Sequence, residues 1–447
     1  MNSRQEDEPG IPLLGRSQNG VRWTDGGPIP LLAAVVMALP IAGCGNVDLP
    51  WQPGSGLREA RAFYASQPRF LRPVPHSNTP SGLVDLRAES CGRCHVEIYE
   101  EWRISTHARA WRDDPQFLEE LKKTTATPGR DAGWICMNCH TPLESQLPRL
   151  VTALVDGDRG RPVYVDNPNF DPKLQDDAIT CAACHVKDGV VLGPWGDTKA
   201  PHPVTKSEEL LSAAVCTQCH EADEALPDVE LACVFDTGTS FAAGPWAAEG
   251  KTCQDCHMPV IDRSLTAPPY PVRRTRRHWF GGSRIPKKPE FEAGLAPMRE
   301  AYPDGARIEW IETPESLVPG TRTTLTFAVT NAEAGHTLPT GDVERFLLVE
   351  ARVTDEAGAV LAERVERFGT RYQWEPEVRK LEDNRLLPRE TRTFALEFTV
   401  PERGRLILTL EGSNHRINPE NFAYHQLEGR SVASRPFRLL TAAVPVR

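Results

Sequence analysis

The sequence has few methionines, no long apolar run and no excess of positive charge. Five of its 447 residues are methionine. The net charge is -10, from 51 Lys and Arg against 61 Asp and Glu, so no basic surface favours nucleic acid as a partner. The run from Ile29 to Gly43 is interrupted by Pro40. It is too short for a membrane span, which needs about 20 apolar residues.

Cysteine and histidine, twelve of each, are what the chain does have. Ten of the cysteines fall into C-x-x-C-H units, and chance alone would produce about one such unit in a hundred chains of this composition. In order, the five motifs are Cys91-Cys94-His95, Cys136-Cys139-His140, Cys181-Cys184-His185, Cys216-Cys219-His220 and Cys253-Cys256-His257. Only Cys44 and Cys233 stand outside them.

The spacing within each motif fits covalent haem attachment. Residues three apart share one face of a helical turn, so two thiols meet the two vinyl groups of one porphyrin, and the adjacent His turns to the iron. Zinc sites, redox dithiols and disulfides also use C-x-x-C pairs, but none requires His after every second Cys. We therefore predict five haem c groups, bound through these ten cysteines, with the five motif histidines as proximal iron ligands.

The N-terminal segment predicts export. Residues 1–43 resemble a signal peptide, and Ile41-Ala42-Gly43-Cys44 resembles the lipobox of bacterial lipoproteins, which predicts a membrane tether through a lipidated Cys44. A plain signal peptide cut nearby is the alternative. The acidic residues Glu6, Asp7 and Glu8 depart from an ordinary leader, and a start at Val21 would remove them. A periplasmic or outer-membrane-associated location is expected.

Composition divides the rest of the chain into three parts. Residues 44–85 are rich in Pro, Gly and Ser and predict a tether with little core. Residues 86–285 hold all five motifs and predict a mostly helical or irregular cytochrome domain packed around its haems. Residues 301–447 predict an antiparallel β-sandwich. Alternating apolar residues at 325–329 and 394–400, a run at 406–410 and a hairpin turn at 355–358 support this third assignment.

Each haem iron has room for a second axial ligand. Methionine is a poor source, since only Met298 lies outside the leader and the motifs. Ligation by two histidines, which generally gives lower potentials, should therefore dominate. Seven histidines lie outside the motifs, namely His76, His107, His202, His278, His336, His415 and His425.

The stretch CGRCHVEIYEEWRISTHARAW, which begins at Cys91, resembles the cytochrome c554-like multihaem family, in which C-x-x-C-H precedes I-Y-x-x-W-x-x-S-x-H. The resemblance extends over residues 86–341. Further matches are Pro201-His202-Pro203, the segment around Trp246 and the fifth motif, Arg277-His278-Trp279-Phe280, and the loop Ala334–Gly341. The resemblance implies His107, His202, His278 and His336 as distal ligands. His76, His415 and His425 remain candidates for a fifth.

Helix geometry constrains His107. If the chain from Cys94 to His107 is helical, His95 and His107 lie roughly 18 Å apart. Two axial nitrogens on one iron must be within about 4–4.5 Å. His107 is therefore expected to reach a neighbouring haem. His336 is expected to reach an iron from a loop of the β-domain, because Gly335 and Gly341 flank it and permit close backbone approach.

Two further features have alternative interpretations. Cys233 is favoured as a buried thiol over a redox or iron-binding residue. The cluster Arg273, Arg274, Arg276 and Arg277 predicts either a solvated patch or partners for haem propionates.

Three functions are compatible with these features. The first is electron transfer through five mainly bis-His haems, between a quinol-side donor and an extracytoplasmic acceptor. The second is an oxidoreductase in which one open haem acts on a small nitrogen or sulfur compound. The pentahaem nitrite reductase family uses a C-x-x-C-K unit, which this chain lacks, and octahaem hydroxylamine-oxidising relatives need more haems. Electron transfer is therefore favoured. The third is a structural subunit that presents the β-domain to a partner.

Overall fold

A computed structural model describes residues 55–196, 198–226, 231–266, 270–373 and 378–447. These residues belong to one compact unit, Gln52–Arg447. The predicted signal peptide and Cys44 lie outside the described residues. Within the described ranges, no helix combines the length and the apolar character needed to cross a membrane.

The helices of the described residues are short. They are α1 Ser55–Ser66, α2 Ala88–Gly92, α3 Val96–Arg103, α4 Pro115–Lys123, α5 Gly133–His140, α6 Pro172–Gln175, α7 Cys181–His185, α8 Ala214–Thr217, α9 Thr237–Ala242, α10 Pro245–Ala248, α11 Cys253–His257, α12 Ala296–Ala301 and α13 Pro419–Tyr424. Single 3₁₀ turns cover Arg69–Leu71, Glu144–Gln146, Val155–Gly157, Glu209–Leu211, Pro289–Phe291 and Ala293–Leu295.

The strands fall into a group of short ones and a group of long ones. The short strands are β1 Arg149–Leu154, β2 Pro162–Asp166, β3 Val186–Lys187, β4 Val190–Gly193, β5 Val204–Lys206, β6 Ala222–Leu226, β7 Leu231–Phe235, β8 Val260–Ser264 and β9 Val272–Arg276. The others are β10 Ala306–Trp310, β11 Arg322–Asn331, β12 Phe346–Asp355, β13 Val360–Gln373, β14 Arg379–Asp383, β15 Thr391–Thr399, β16 Arg405–His415 and β17 Ser434–Pro445.

Helix α1 packs into the protein, which differs from the predicted tether. It buries Ala60 and Tyr64 in a cluster that includes Trp134 and Leu150. The Tyr64 hydroxyl accepts a hydrogen bond of 3.2 Å from the backbone N–H of Val151. Residues 55–85 therefore contribute a hydrophobic core, because apolar side chains on one side of a short helix find a partner surface beside the second motif.

The cysteine motifs lie in or directly after the short helices α2, α5, α7, α8 and α11, as the spacing argument requires. The expectation of a mostly helical or irregular domain is incomplete, however, because β1 to β9 lie between the helices. Most of these strands form local hairpins, such as β6 with β7 and β8 with β9. The hairpins satisfy the backbone hydrogen bonds of segments that carry few core side chains of their own.

Two antiparallel sheets of the C-terminal region share one hydrophobic core. Their strand orders are β10-β11-β15 and β14-β13-β12-β16-β17. Leu325 pairs with Leu396 across β11 and β15, and both lie in a core with Val349 and Leu408 of the larger sheet. The turn between β12 and β13 includes Gly358 at φ 85°. The strand runs and the hairpin turn predicted from the alternating residues all lie in these two sheets.

Two ion pairs, one of them buried, connect the sheets to the motif-containing region. Arg416, at the end of β16, donates to Asp114 at the start of α4 over 2.8 Å, and both side chains are nearly fully buried. Arg385 donates two hydrogen bonds, of 2.7 and 2.6 Å, to Asp236 before α9. These contacts fix the loops of the β-region against the motifs.

Candidate functional site

All five motifs open into one cavity of about 2190 Å³. Pockets for a single small ligand usually measure roughly 300–1,000 Å³. The cavity is thus large enough for several prosthetic groups. Its walls include loops from the β-region, among them the segments around His336 and Arg345.

Thiols of different motifs lie against each other and show which motifs are neighbours. Cysteine thiols interact between the first and third motifs, between the fourth and fifth, and between the second and fourth. A fourth pair, between the third and fourth motifs, interacts more weakly. The pairs are Cys91 with Cys181, Cys216 with Cys253, Cys139 with Cys219, and Cys184 with Cys219. The motifs therefore form a row in the order first, third, fourth and fifth, and the second branches from the fourth.

Three motif histidines face a histidine from elsewhere in the chain. The ring centroids of His107 and His220 are 6.3 Å apart, those of His185 and His278 6.1 Å, and those of His257 and His336 6.2 Å. Two imidazoles on one metal ion, with bonds of about 2.0–2.1 Å each, require roughly this centroid separation. The geometry fits an iron between each pair.

His107 lies opposite the histidine of the fourth motif, so the structure brings it to a motif other than its own. Helix α3 ends at Arg103, before His107 is reached, and turns follow. His202 lies close enough to His95 to lower its pKa, after the larger effect of burial. The Nδ1 atom of His202 is buried without a described hydrogen-bond partner.

Hydrogen bonds fix the orientation of most of these rings. The Nδ1 atoms of four of the five motif histidines bond to backbone carbonyls, at 2.8 Å for His95, 2.6 Å for His140, 2.9 Å for His185 and 2.6 Å for His257. A carbonyl only accepts, so Nδ1 carries the proton and Nε2 is left with its lone pair. This arrangement is typical of histidines that bind a metal.

Two of the opposing rings are oriented in the same way. The Nδ1 atom of His278 donates to the carbonyl of Arg276, and that of His336 donates to the carbonyl of Thr337, each at 2.9 Å. Burial lowers the pKa of His107 and His278 to about 3. Burial likewise lowers the pKa of His220 and His336 to about 4. The imidazoles are thus neutral at physiological pH, which is the form that binds metals.

His140 of the second motif is different. Its ring stacks on Phe117 at 3.7 Å, and the nearest charged groups are Asp114 and Lys287. None of the other eleven histidines, all of which are described, is found in ring contact with it. Of the three candidates for a fifth ligand, His425 bonds Glu120, with 2.7 Å between Nε2 and Oε1, and His415 shares a 2.9 Å hydrogen bond with Ser413. His76 does not line the cavity.

The wall near the second motif is polar and buried. Glu120 lies near Cys136, and Asp342 lies near Cys233. Arg345 projects into the same part of the cavity, with a buried Nε atom that has no described partner. Burial raises the pKa of Asp342. Sequence patterns did not identify these residues, because their positions depend on contacts between segments far apart in the chain.

Cys233 lies on β7, packed against the cluster that contains Tyr64 and Trp134. Burial raises the pKa of its thiol above the usual range. A neutral, enclosed thiol agrees with the favoured interpretation of Cys233 as a buried residue.

The four arginines at residues 273–277 divide into two pairs. Arg276 bonds Asp255 at 2.9 Å, and Arg277 bonds Glu101 at 2.5 Å. Arg273 and Arg274 are exposed. The cluster is therefore neither a uniformly solvated patch nor a set of four groups available to propionates.

Glu101 is the centre of a buried ion cluster near the site. Besides Arg277, it accepts a hydrogen bond of 2.7 Å from Arg263 and one of 2.8 Å from the backbone N–H of His278. Glu101 and Arg263 are 4% and 5% exposed. The cluster thus positions the segment that carries His278 against His185. Its sequence signal is weak, because a single Glu on α3 looks like any helix-surface residue.

Comparison with known proteins supports a haem-binding assignment. The family described as cytochrome c554 and c-prime matches residues 90–153, which contain the first two motifs. Among curated proteins, none matches the chain in sequence.

Two solved structures illustrate the structural similarity. The penta-heme cytochrome c552 from Thermochromatium tepidum aligns with a TM-score of 0.56 at 17% identity, over 82% of this chain and 100% of that chain. The CARDB domain of the PF1109 protein from Pyrococcus furiosus aligns at 13% identity over 32% of this chain and 85% of its own. Its TM-score is 0.18, so it supports no inference.

The alignment with the penta-heme cytochrome covers 82% of this chain, which is more than the motif-containing region alone. The aligned part therefore includes some of the sheets as well. At 17% identity it establishes a shared fold. Together with the match to the cytochrome c554 family over residues 90–153, the shared fold makes this chain similar to multihaem c-type cytochromes.

Proposed function

We propose that the protein binds five haem c groups and transfers electrons between redox proteins outside the cytoplasm. When bound, haem iron exchanges single electrons between its ferric and ferrous states. The observation that carries the proposal is the set of three imidazole pairs at 6.1–6.3 Å around one cavity. In this proposal His107, His202, His278 and His336 are distal ligands of the fourth, first, third and fifth motifs.

The chain's own residues provide the environment that such a function needs. Backbone carbonyls hold the motif imidazoles in one orientation, and the contacts between motifs keep neighbouring sites close. The β-region contributes His336 and closes one wall of the cavity, which excludes water from the buried iron sites. The expected partners are a quinol-side donor and an extracytoplasmic acceptor.

A pyridine haemochrome assay combined with protein quantitation tests the proposal on mature protein. Five haems per chain are expected, and redox titration should show that each exchanges one electron. A Cys94→Ser, Cys91→Ser variant should lose one haem and leave the other four. Four or fewer haems in fully matured wild type would contradict the proposal.

Export and anchoring are a separate part of the proposal. The proposal of export and anchoring rests on the apolar run that ends in Ile41-Ala42-Gly43-Cys44. If Cys44 is lipidated, the mature protein will partition into detergent, and Cys44→Ser will release it. Wild-type protein that is recovered in the aqueous periplasmic fraction with a free amino terminus would contradict the tether.

A second candidate function has one observation in its favour, which is that His140 lacks an opposing histidine. In this proposal the haem at the second motif keeps an open iron position, and the protein acts as an oxidoreductase on a small nitrogen or sulfur compound. Arg345 would then bind an anionic substrate, since its guanidinium faces the cavity with an unpartnered Nε.

Spectroscopy tests whether the second motif keeps an open iron position that binds a small anion. Carbon monoxide should bind one haem per chain after reduction, and nitrite should perturb one high-spin ferric signal in the oxidised protein. Arg345→Gln should weaken the nitrite effect, whereas Arg430→Gln, an exposed change in the same region, should leave it as in wild type. No binding of carbon monoxide would exclude an open site.

A further inference from the structure

The acidic side chains that line the cavity differ in what faces their carboxylates. They are Asp114, Glu120, Asp304, Glu333, Asp342 and Glu344. Asp114, Glu120 and Asp304 each have a cationic partner. The side-chain amides of Asn418 and Asn421 donate to Glu344, and Glu333 lies near Cys256 of the fifth motif. Asp342 is different, because its carboxyl accepts a 2.9 Å hydrogen bond from the backbone N–H of Glu344 and forms no ion pair with a described residue.

The loop that carries Asp342 is fixed on both sides. Before Asp342, the hydroxyl of Thr340 shares a hydrogen bond of 2.7 Å with that of Thr237, at the start of α9. After it, the carbonyl of Val343 accepts a hydrogen bond of 3.0 Å from the hydroxyl of Thr370 on β13. These two contacts hold the Asp342 carboxyl in the wall of the cavity.

The groups that face Asp342 come from four parts of the chain. They are Glu344 and Arg345 on its own loop, Glu120 on α4, Arg416 at the end of β16 and Cys233 on β7. Burial raises the pKa of Asp342, and the smaller effects of a backbone N–H and the Arg345 charge oppose it only in part. Burial also opposes ionisation of Glu120, but its hydrogen bond to His425 and the charge of Lys123 outweigh burial and lower its pKa. The environment therefore favours the neutral form of Asp342, whereas Glu120 stays ionised.

The same neighbours place Asp342 beside the second motif. Glu120 and Cys233 both lie near Cys136, which belongs to that motif. Arg345 approaches the histidine of the fourth motif, so the fourth motif is the next candidate. Two neighbours against one favour the second motif.

A buried carboxylate responds to an electron that is placed nearby. The electron makes the negative charge of the carboxylate less favourable, because little water is present to screen the two charges. Uptake of a proton removes this repulsion, and it requires a carboxyl that no fixed cation holds in the ionised form. Asp342 meets this condition, whereas Asp114, which pairs with Lys287 and Arg416, does not.

We propose that Asp342 is a proton-binding site coupled to reduction of the haem at the second motif. The Asp342 carboxylate takes up one proton from solvent when that iron gains one electron from a neighbouring haem, and it releases the proton when the electron leaves. One positive and one negative charge enter together, so the net charge of this part of the cavity stays the same. The proposal rests on the proposed haem binding and electron transfer.

Redox titration of the mature holoprotein at several pH values tests the proposal. One of the five one-electron components should fall in potential as pH rises, by up to about 59 mV for each tenfold fall in proton concentration. Titrations followed by electron paramagnetic resonance should identify this component as the high-spin iron at the second motif. Infrared difference spectra between the reduced and oxidised states should show the C=O band of one protonated carboxyl in the reduced protein.

Variants of similar size separate Asp342 from the groups around it. Asp342→Asn should abolish the pH dependence, remove the infrared band and keep the potential of this haem at its low-pH value. Asp342→Glu should retain the pH dependence with a shifted infrared band. Glu120→Gln, which removes a carboxylate that stays ionised on the same wall, should raise the potential by the same amount at every pH and retain the slope.

Three results would overturn the proposal. These are five components whose potentials do not depend on pH, a pH dependence that persists in Asp342→Asn, or a pH-dependent component that belongs to a low-spin iron. The second result would assign the proton to a haem propionate, and the third to another motif. If Asp342→Asn does not mature, the wild-type titration and the shifted infrared band of Asp342→Glu decide the question. Failure of the underlying function is distinct, because fewer than five one-electron components would then be found at every pH.

Discussion

At the scale of single residues, the proposed distal histidines differ in how firmly they are held. His336 and His278 each donate Nδ1–H to a nearby carbonyl, whereas no such hydrogen bond is found for His107 among the described residues. His107 instead packs on Phe280, with ring centroids 4.3 Å apart. Burial alone keeps all three neutral, which is the state needed for ligation.

The first prediction concerns these rings. His336→Ala should convert one low-spin iron per chain to high-spin and raise the potential of that haem, because a neutral imidazole donor is lost. Electron paramagnetic resonance and a redox titration measure the two effects. His425→Ala is the control, since His425 does not line the cavity and its Nε2 atom lies 2.7 Å from Glu120. An unchanged low-spin count in His336→Ala would exclude this loop as the source of a ligand.

The second prediction concerns Glu101. Removing one partner of a buried ion cluster usually costs about 3–5 kcal/mol, because charges are left unpaired. Glu101→Gln should therefore lower the free energy of unfolding by about 3 kcal/mol. Glu97→Gln is a matched control, because Glu97 approaches the same Arg263 at 3.9 Å from an exposed position. It should change stability by less than about 0.5 kcal/mol.

Urea unfolding of the two holoproteins measures both values. Glu101→Gln should also broaden the low-spin signal of one haem, because the single oxygen of Gln cannot accept from both the arginines and the His278 N–H, which now use the two oxygens of Glu101. Equal free energies of unfolding for the Glu101 and Glu97 variants would show that the Glu101 cluster contributes little to the stability of the fold.

At the scale of structural elements, the sequence predicted the strands better than the connections between them. Alternating residues place β11 and β15, because a sheet with one buried face imposes a period of two, while the apolar run at 406–410 falls in β16 and the predicted turn at 355–358 falls between β12 and β13. Helix α1 was missed, since Pro, Gly and Ser around it suggested a linker. Its partner surface, which includes Trp134 and Leu150, is nearly 80 residues away in the chain. Local composition carries no information about such contacts.

The third prediction concerns the contact between the β-region and α9. Arg385 bonds both Asp236 and Asp383, and these hydrogen bonds lower the pKa of each carboxyl, that of Asp383 to about 2. A carboxyl whose pKa is lowered in the folded protein stabilises the fold at pH values above its unfolded pKa of about 4. This stabilisation is lost as the pH falls toward the lower pKa of the folded state. Stability should therefore decline between about pH 4 and 2.

Arg385→Gln should lower stability at pH 6 and flatten the decline toward pH 2, because the carboxyl groups regain ordinary pKa values. The effect will be modest, since Asp236 is 42% exposed on its side chain. Urea midpoints measured as a function of pH provide the comparison. Arg430→Gln, which removes an exposed pair with Glu119, should follow the wild-type curve. A curve for Arg385→Gln parallel to that of wild type would contradict the assignment.

At the scale of the whole molecule, the five motifs could be identified from the sequence, but their spatial order could not. In the chain the second motif follows the first, but in the structure a thiol of the third motif lies beside a thiol of the first. The pairs that join the β-region to the motifs, such as Arg416 with Asp114, also depend on the final fold. The resemblance to cytochrome c554 supplied the opposing histidines. It did not indicate which motif would lack one.

We propose a multihaem chain in which His107, His202, His278 and His336 each supply a second iron ligand, whereas the described residues offer no such histidine to His140. Electron paramagnetic resonance with spin quantitation on the fully oxidised protein, set against the haemochrome count, tests it most directly. The account predicts four low-spin ferric irons and one high-spin ferric iron per chain. Five low-spin irons, or fewer than four, would contradict it.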